Sequence, residues 1–212
     1  MRTDDLIADL SDRLEPVAPG ALTRMLTAAV VLGLVGSAIV MLSVLGLRHD
    51  IARAIMSFGM WTKLVYTFAI AAFGFWLVAR AGRPGADMAP PARLLVLPVL
   101  VIALLAVAQL AAPGADMRGL ILGHSSRVCA FLVTLTALPT LAATFWALKR
   151  MAPTRLTLAG VGAGLFAGAA GAFVYSFHCS ESSAPFIGIW YSLGIVLTAA
   201  IGGLLGRDLL RW

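Results

Sequence analysis

Six apolar stretches of roughly 20 residues constrain this chain more than any other feature, because each can cross about 30 Å of hydrocarbon as an α-helix. The sequence is 60% hydrophobic and 12% charged, which is about half the charged fraction of an average soluble domain. We therefore predict an all-α integral membrane bundle of six transmembrane helices. The predicted spans cover 22–47, 61–79, 94–110, 128–148, 156–177 and 186–205.

Two regions follow from this pattern: a polar N-terminal segment over 1–20 and a six-helix transmembrane domain over 21–212. The connections between spans are too short for a further folded domain. The opening residues lack a basic n-region followed by an apolar core, so we expect the N-terminus to be retained.

Lysine and arginine indicate the orientation. Six spans place both termini on one side, and that side receives 11 basic residues against five on the other. The bias predicts a multi-pass protein of a bacterial inner membrane with both termini in the cytoplasm. The net charge of +6 then serves orientation, and we expect no direct contact with nucleic acid. The five residues on the outer side are Arg48, Arg53, Lys63, Arg118 and Arg127.

The N-terminal segment has the pattern of a short amphipathic helix. Asp4, Asp5, Asp9, Asp12 and Glu15 hold half of the chain's ten acids. Anionic lipid would repel such a helix, and a helix this short is marginal alone in water. An acidic peptide with an apolar stripe suits a soluble partner that offers a basic groove. The alternatives are a solvated cap and a helix folded back on the chain's own basic loops.

The chain has two cysteines, Cys129 and Cys179, both on the predicted outer side. The fourth and fifth spans form a hairpin that turns near residue 152. Counted from that turn, the two cysteines differ in height by only about 6 Å at 1.5 Å per residue. We therefore predict that the two thiols can reach each other.

Three interpretations of the cysteine pair remain open. The cysteines can be inert small residues or a permanent staple. They can form a thiol–disulfide switch, which requires exposure and a lowered thiol pKa, with Arg127 and His178 as stabilising groups. They can also bind a soft metal such as copper or zinc, helped by His178, His124 or Met117. The sequence lacks the tight ligand spacing of strong metal motifs.

Two further patterns bear on function. Gly160, Gly164 and Gly168 repeat every four residues in the fifth span, which predicts close helix packing at the bundle centre and equally suits a homodimer face. The sequence contains no nucleotide-binding loop, zinc-protease motif or nucleophile elbow. No acid lies within a span to relay protons. We therefore expect no enzyme activity and no ion-coupled transport.

The chain resembles the NrsF family, the negative regulators of sigma-F, over almost its whole length. The similarity lies in the six spans and in several short motifs. These motifs are Thr3-Asp4-Asp5-Leu6-Ile7, Arg127-x-Cys129, Ala152-Pro153-Thr154-Arg155, His178-Cys179, Trp190-Tyr191 and Leu209-Leu210-Arg211-Trp212. Members often have proline after the His-Cys pair, where this chain has Ser180.

The resemblance implies a membrane anti-sigma factor that holds an extracytoplasmic-function sigma factor and releases it under oxidative or heavy-metal stress. It implies that Asp4, Asp5, Leu6 and Ile7 contact the sigma factor, and that Cys129 and Cys179 sense the signal. Our hypothesis is that a change at the cysteine pair weakens the binding of the sigma factor by the N-terminal helix. The alternative function is a soft-metal-handling membrane protein or a small transport subunit.

Overall fold

A computed structural model describes residues 3, 11, 21–83, 85–151 and 153–211, and within these ranges every regular element is a helix. Six helical segments are long and apolar enough to cross a membrane. The predicted all-helical class and the number of spans are confirmed. The candidate spans are Arg24–Leu45, Phe58–Ala81, Ala89–Leu110, Met117–Lys149, Leu156–Tyr175 and Ala184–Leu209, called the first to sixth span below.

Several spans are built from more than one helix. The first joins an α-helix over Ala21–Val40 to a π-helical turn over Met41–Leu45. The third is divided into Ala89–Leu94 and Val96–Leu110. The fourth contains Met117–Leu122 and Ser126–Lys149, and the sixth contains Ala184–Phe186, a π-helical turn over Ile187–Tyr191 and Ser192–Leu209. The second and fifth are single helices over Phe58–Ala81 and Leu156–Tyr175, and a short helix, Ile51–Ala54, precedes the second.

These bounds correct two expectations from the sequence. The fourth span is predicted to begin at residue 128, but its helical segment begins earlier and includes the helix Met117–Leu122. Lys63 is counted among the basic residues of the predicted outer side, but it lies within the helix Phe58–Ala81 and is buried. A lysine inside a span carries no orientation signal, so the outer side has one basic residue fewer than the sequence count assumed.

The fifth span lies at the centre of the bundle. It packs most extensively on the sixth span and also contacts the second and fourth, while the first span packs on the fourth. The most apolar 18-residue window of the fifth span is 72% buried, whereas that of the third span is 11% buried. The third span is therefore peripheral, and it contacts the bundle chiefly near the start of the sixth.

Glycines bring the fifth and sixth spans into backbone contact. A methyl group on Gly160 would collide with the carbonyl oxygen of Gly202, and one on Gly164 would collide with that of Thr198. A methyl group on Gly202 would in turn meet the carbonyl oxygen of Gly160. The predicted role of these glycines in close packing is confirmed. Because the sixth span of the same chain covers them, this glycine face does not need a second copy of the protein.

Buried hydroxyl groups connect other spans. Ser37 of the first span and Thr140 of the fourth form a hydrogen bond of 2.9 Å. The hydroxyl groups of Tyr66, in the second span, and Ser192, in the sixth, form another. Such bonds satisfy polar groups where no water is available, and they fix the lateral register of the helices.

Substitution of Gly164 tests the contact between the fifth and sixth spans. Gly164→Ala should lower the stability of the detergent-solubilised protein by about 1 to 3 kcal/mol through overpacking. Alanine is the better helix former, so intrinsic propensity predicts the opposite sign. The thermal unfolding midpoint measures the effect.

Gly188→Ala is the matched control, because a methyl group there would lie 3.7 Å from Ile102, an ordinary van der Waals distance. An unchanged midpoint for Gly164→Ala would contradict the backbone contact.

Candidate functional site: the buried cysteine pair

Helix geometry places both cysteines at one end of the bundle, called the cysteine end. Cys129 lies in the first turn of the helix Ser126–Lys149, where its backbone N–H donates to the carbonyl oxygen of Ser125 at 2.9 Å. Cys179 follows the helix Leu156–Tyr175, and its N–H donates to the carbonyl oxygen of Tyr175 at 3.0 Å. The fourth and fifth spans are antiparallel neighbours, so the two cysteines lie at a similar position along the bundle axis.

The two thiols are close enough to interact directly. The prediction that they can reach each other is thus confirmed. Both are free cysteines, and both are buried, with 0% of Cys129 and 3% of Cys179 exposed. This burial differs from the exposure expected for a thiol switch, so a reagent has to enter the cluster before it can react.

Lys63 is the charged group of this site that sequence reasoning missed. Its side chain is 0% exposed, and its Nζ donates a hydrogen bond of 2.8 Å to the carbonyl oxygen of Cys179. A buried ammonium group is costly unless hydrogen bonds and a counter-charge compensate it. The sequence itself shows this lysine among the apolar residues of a span, two positions after Trp61. An ionisable residue in such a place is a functional candidate by default.

Arg48 is a second cation that donates a hydrogen bond to the carbonyl oxygen of Cys179. Its Nη1 donates to the carbonyl oxygen of Cys179 at 3.1 Å. Its Nε and Nη2 donate to the two carboxylate oxygens of Asp50, at 2.7 and 2.8 Å. This bidentate hydrogen bonding lowers the pKa of Asp50 to about 2 and raises the pKa of Arg48. The pair therefore stays ionised over the physiological range, and it orients the guanidinium toward Cys179.

Two tyrosine side chains, Tyr175 and Tyr191, also pack beside the thiols. The rings of Tyr175 and Tyr191 have centroids 5.7 Å apart, and both side chains are buried. The Tyr191 hydroxyl lies beside the Cys179 thiol, yet it forms no hydrogen bond of standard geometry with any residue that the structure describes. A buried hydroxyl without such a partner leaves a donor available next to the sulfur.

These surroundings favour the anionic form of Cys179. The hydrogen bond from the Cys129 thiol and the positive charge of Lys63 lower the pKa of Cys179, although burial opposes them by raising it. Hydrogen bonds and cations that contact the charged form favour deprotonation. Lys63, rather than Arg127 or His178, is the cation that acts on this thiol.

The histidines expected as metal ligands point elsewhere. His178 Nδ1 lies 2.9 Å from the carbonyl oxygen of Gly46, and its ring packs on Tyr175. His124 has an exposed side chain near Glu181. Across the described part of the chain, no three His, Cys, Asp or Glu side chains are grouped so that they could hold a metal ion. The structure therefore brings Cys129 and Cys179 together, but it does not add His178 or His124 as a third ligand.

The other predicted site cannot be placed in the same way. Asp4, Asp5, Leu6 and Ile7 lie outside the described residues, so their expected contact with a sigma factor stays a prediction. Pro153 and Arg155, in the connection between the fourth and fifth spans, lie at the opposite end of the bundle from the cysteines.

Comparison with known proteins gives consistent matches. The family described as "Negative regulator of sigma F" matches residues 10–212. A protein of Azospira oryzae named "Probable anti-sigma-F factor NrsF" is 38% identical over 213 residues, and the alignment covers 100% of both chains. A protein of Caulobacter vibrioides named "Anti-sigma-F factor NrsF" is 38% identical over 221 residues, again with 100% of both chains covered. No solved structure matches the chain.

Mild oxidation tests the contact between the thiols. Diamide or copper phenanthroline should convert the full-length chain in membranes to an intramolecular disulfide, because the two thiols lie beside each other. A maleimide gel shift counts the remaining free thiols, and their number should fall from two to zero.

The double variant Cys179→Ser with Ser180→Cys moves the second thiol by one residue to an exposed position. It should keep both free thiols under the same mild treatment. Equal oxidation of the two proteins would contradict the geometry of the pair.

Proposed function

Because the chain belongs to the NrsF family of negative regulators of sigma F, we propose that it is an inner-membrane anti-sigma factor that holds an extracytoplasmic-function sigma factor through its N-terminal segment. Oxidative or heavy-metal stress at Cys129 and Cys179 releases the sigma factor. Both termini lie in the cytoplasm, and the cysteine end faces the periplasm. The observation that carries the sensing part is the contact between two free thiols at one end of the bundle.

Charge and composition support the partner contact. The N-terminal segment concentrates acids that a membrane surface would repel, and an apolar stripe that water would not favour. A basic groove on a sigma factor satisfies both faces of this helix. The family match begins at residue 10, but the alignments with both relatives cover the whole chain and include residues 4–7.

The position of the cysteines supports the sensing role. The outer side of a bacterial inner membrane is oxidising, and structural or reactive disulfides form there rather than in the cytoplasm. A neighbouring cation lowers the pKa of Cys179 in this protein. A partly anionic thiol with a second thiol in contact is the arrangement found in redox-responsive cysteine pairs.

The fifth span offers a route between the two ends. It packs on the second, fourth and sixth spans, which supply Lys63, Cys129 and Tyr191 to the site. A shift of these helices relative to one another at the cysteine end reaches the opposite end through the same contacts. Sub-ångström shifts are amplified in this way where packed interfaces have two discrete arrangements.

Reversal of charge tests the N-terminal contact. Asp4→Lys combined with Asp5→Lys should weaken sigma-factor binding, by about thirtyfold if one contact of about 2 kcal/mol is lost. A reporter driven by the sigma factor should then be active without stress.

Asp208→Lys is the matched control, since Asp208 is an exposed acid in the last turn of the sixth span. Reporter activity should stay low in that variant. A silent reporter in the Asp4 and Asp5 variant, at equal protein levels in the membrane, would rule out the N-terminal contact.

Replacement of both thiols separates sensing from repression. The double variant Cys129→Ser with Cys179→Ser should keep the reporter silent in unstressed cells, because the N-terminal segment is unchanged. Oxidants should no longer induce it, since serine cannot form the disulfide or a soft-metal bond.

Ser176→Ala provides the control for small-residue changes near the site, because Ser176 is a buried hydroxyl in the same region without a thiol. Its response to oxidants should be retained. Full induction of the double serine variant would place the sensor elsewhere in the protein.

A further inference from the structure

Groups from every element around the cluster face the Cys179 thiol or its carbonyl group. The loop between the first and second spans contributes Arg48, and residues following the fifth contribute the backbone of Glu181. The spans themselves supply, in chain order, Lys63, Cys129, Tyr175 and Tyr191. The site is thus built around Cys179, and Cys129 is one of its surrounding groups.

The two thiols are not equivalent in this arrangement. Both cations donate hydrogen bonds to the carbonyl oxygen of Cys179. The N–H of Glu181 and the Cys129 thiol also favour a negative charge on the Cys179 sulfur. Cys129, in contrast, is fully buried, and the hydrogen bonds of Lys63 and Arg48 go to Cys179 instead. Each cysteine has an exposed neighbour in the chain, Val128 before Cys129 and Ser180 after Cys179. The two thiols therefore differ in their hydrogen-bond partners, and not in their distance from the surface along the chain.

We propose that Cys179 is the thiol that attacks the oxidant, that Cys129 is the resolving thiol, and that Lys63 is the positioning residue that fixes this division. The inference rests on the proposed function, because it assigns individual roles within the sensing pair. Lys63 acts by holding a positive charge against the Cys179 backbone in a buried site.

The chemistry requires a two-electron oxidant, for which a hydroperoxide is the defining case. The Cys179 thiolate attacks the distal oxygen of the hydroperoxide, and the O–O bond breaks. Cys179 becomes a sulfenic acid, and the rest of the hydroperoxide leaves as an alkoxide that takes up a proton from solvent. The Cys129 sulfur then attacks the Cys179 sulfur, the S–O bond breaks, and water leaves with the Cys129 proton. The two thiols are oxidised to a disulfide, and the hydroperoxide is reduced to an alcohol and water.

The pH dependence follows from the surroundings of Cys179. Its pKa is lowered, so the anionic form persists as the pH falls below the ordinary thiol value, and reactivity persists with it. Lys63→Met removes the positive charge and keeps an unbranched side chain of similar length. The pH profile of Cys179 reactivity should then move toward higher pH, and the reactive fraction should fall on the acid side of the profile.

Trapping of the sulfenic acid tests the division of roles. The purified full-length protein in detergent is treated with hydrogen peroxide and dimedone, and the adducts are located by mass spectrometry. Cys129→Ser, which retains a hydroxyl donor toward Cys179, should give an adduct on Cys179. Cys179→Ser should leave Cys129 at least tenfold less modified. Preferential adduct formation on Cys129 would overturn the assignment.

Alkylation of Cys179 by iodoacetamide as a function of pH tests Lys63 in the Cys129→Ser background. Lys63→Met should move the pH profile of alkylation about one unit higher, which lowers the rate about tenfold at pH values below the pKa of Cys179. Lys63→Arg keeps the charge and should restore most of the rate. Arg127→Met removes an exposed cation near Cys129 and should leave the rate unchanged.

These outcomes separate the inference from the proposed function. An unchanged pH profile in Lys63→Met, in a protein whose thermal midpoint shows that it is folded, would overturn the role of Lys63. If oxidants still released the sigma factor through the two cysteines, the proposed function would survive that result. The trapping and pH experiments could give the expected results while oxidants still induced the reporter in the Cys129→Ser, Cys179→Ser variant. In that case the assigned thiol chemistry would be supported, and the proposed sensing role of the pair would be rejected.

Discussion

The carbonyl oxygen of Cys179 is the atom on which the cysteine end depends, because two cations donate hydrogen bonds to it. Lys63 reaches it from the second span and Arg48 reaches it from the preceding loop. The Arg48 backbone N–H also donates to the carbonyl oxygen of Phe177 at 3.2 Å. A buried ammonium costs several kcal/mol in desolvation, so these bonds and the neighbouring thiol are needed to keep it in place. They tie the loop and the second span to the residues that present Cys179.

A contact at one end of a bundle matters only if the bundle transmits it. The fifth and sixth spans touch through backbone atoms at Gly160, Gly164 and Gly202. Flexible side chains are absent from these contacts, so neither helix can move far without the other. The fifth span carries the Cys179 segment at one end, and the sixth carries Tyr191 near the same end. In the proposed mechanism, a displacement at the thiols would move the two helices together, because their backbone contacts leave no side chains between them to rearrange.

The spans and the thiol contact could be predicted because they follow from length and helical rise alone. The glycine packing could also be predicted, since a four-residue repeat of small residues has few other uses in a span. The role of Lys63 could not, because hydropathy and charge counting treat a lysine near a span end as a loop charge. Its burial depends on a hydrogen bond to a residue 116 positions away. Burial of the thiols, and the orientation of His178 toward Gly46, likewise come from tertiary packing that no local pattern encodes.

Oxidation changes the charge of the site as well as its bonding, and this gives the proposed switch its driving force. In the reduced pair, the anionic form of Cys179 compensates the ammonium of Lys63. A disulfide carries no charge, so the same ammonium would be left buried with a carbonyl group as its hydrogen-bond partner. Removal of one partner from a buried ion pair costs about 3 to 5 kcal/mol. A nearly complete switch between two states requires about 5.5 kcal/mol. In the proposed switch, the uncompensated lysine would contribute part of that energy, and a movement of the second span that brings Lys63 to water would relieve it.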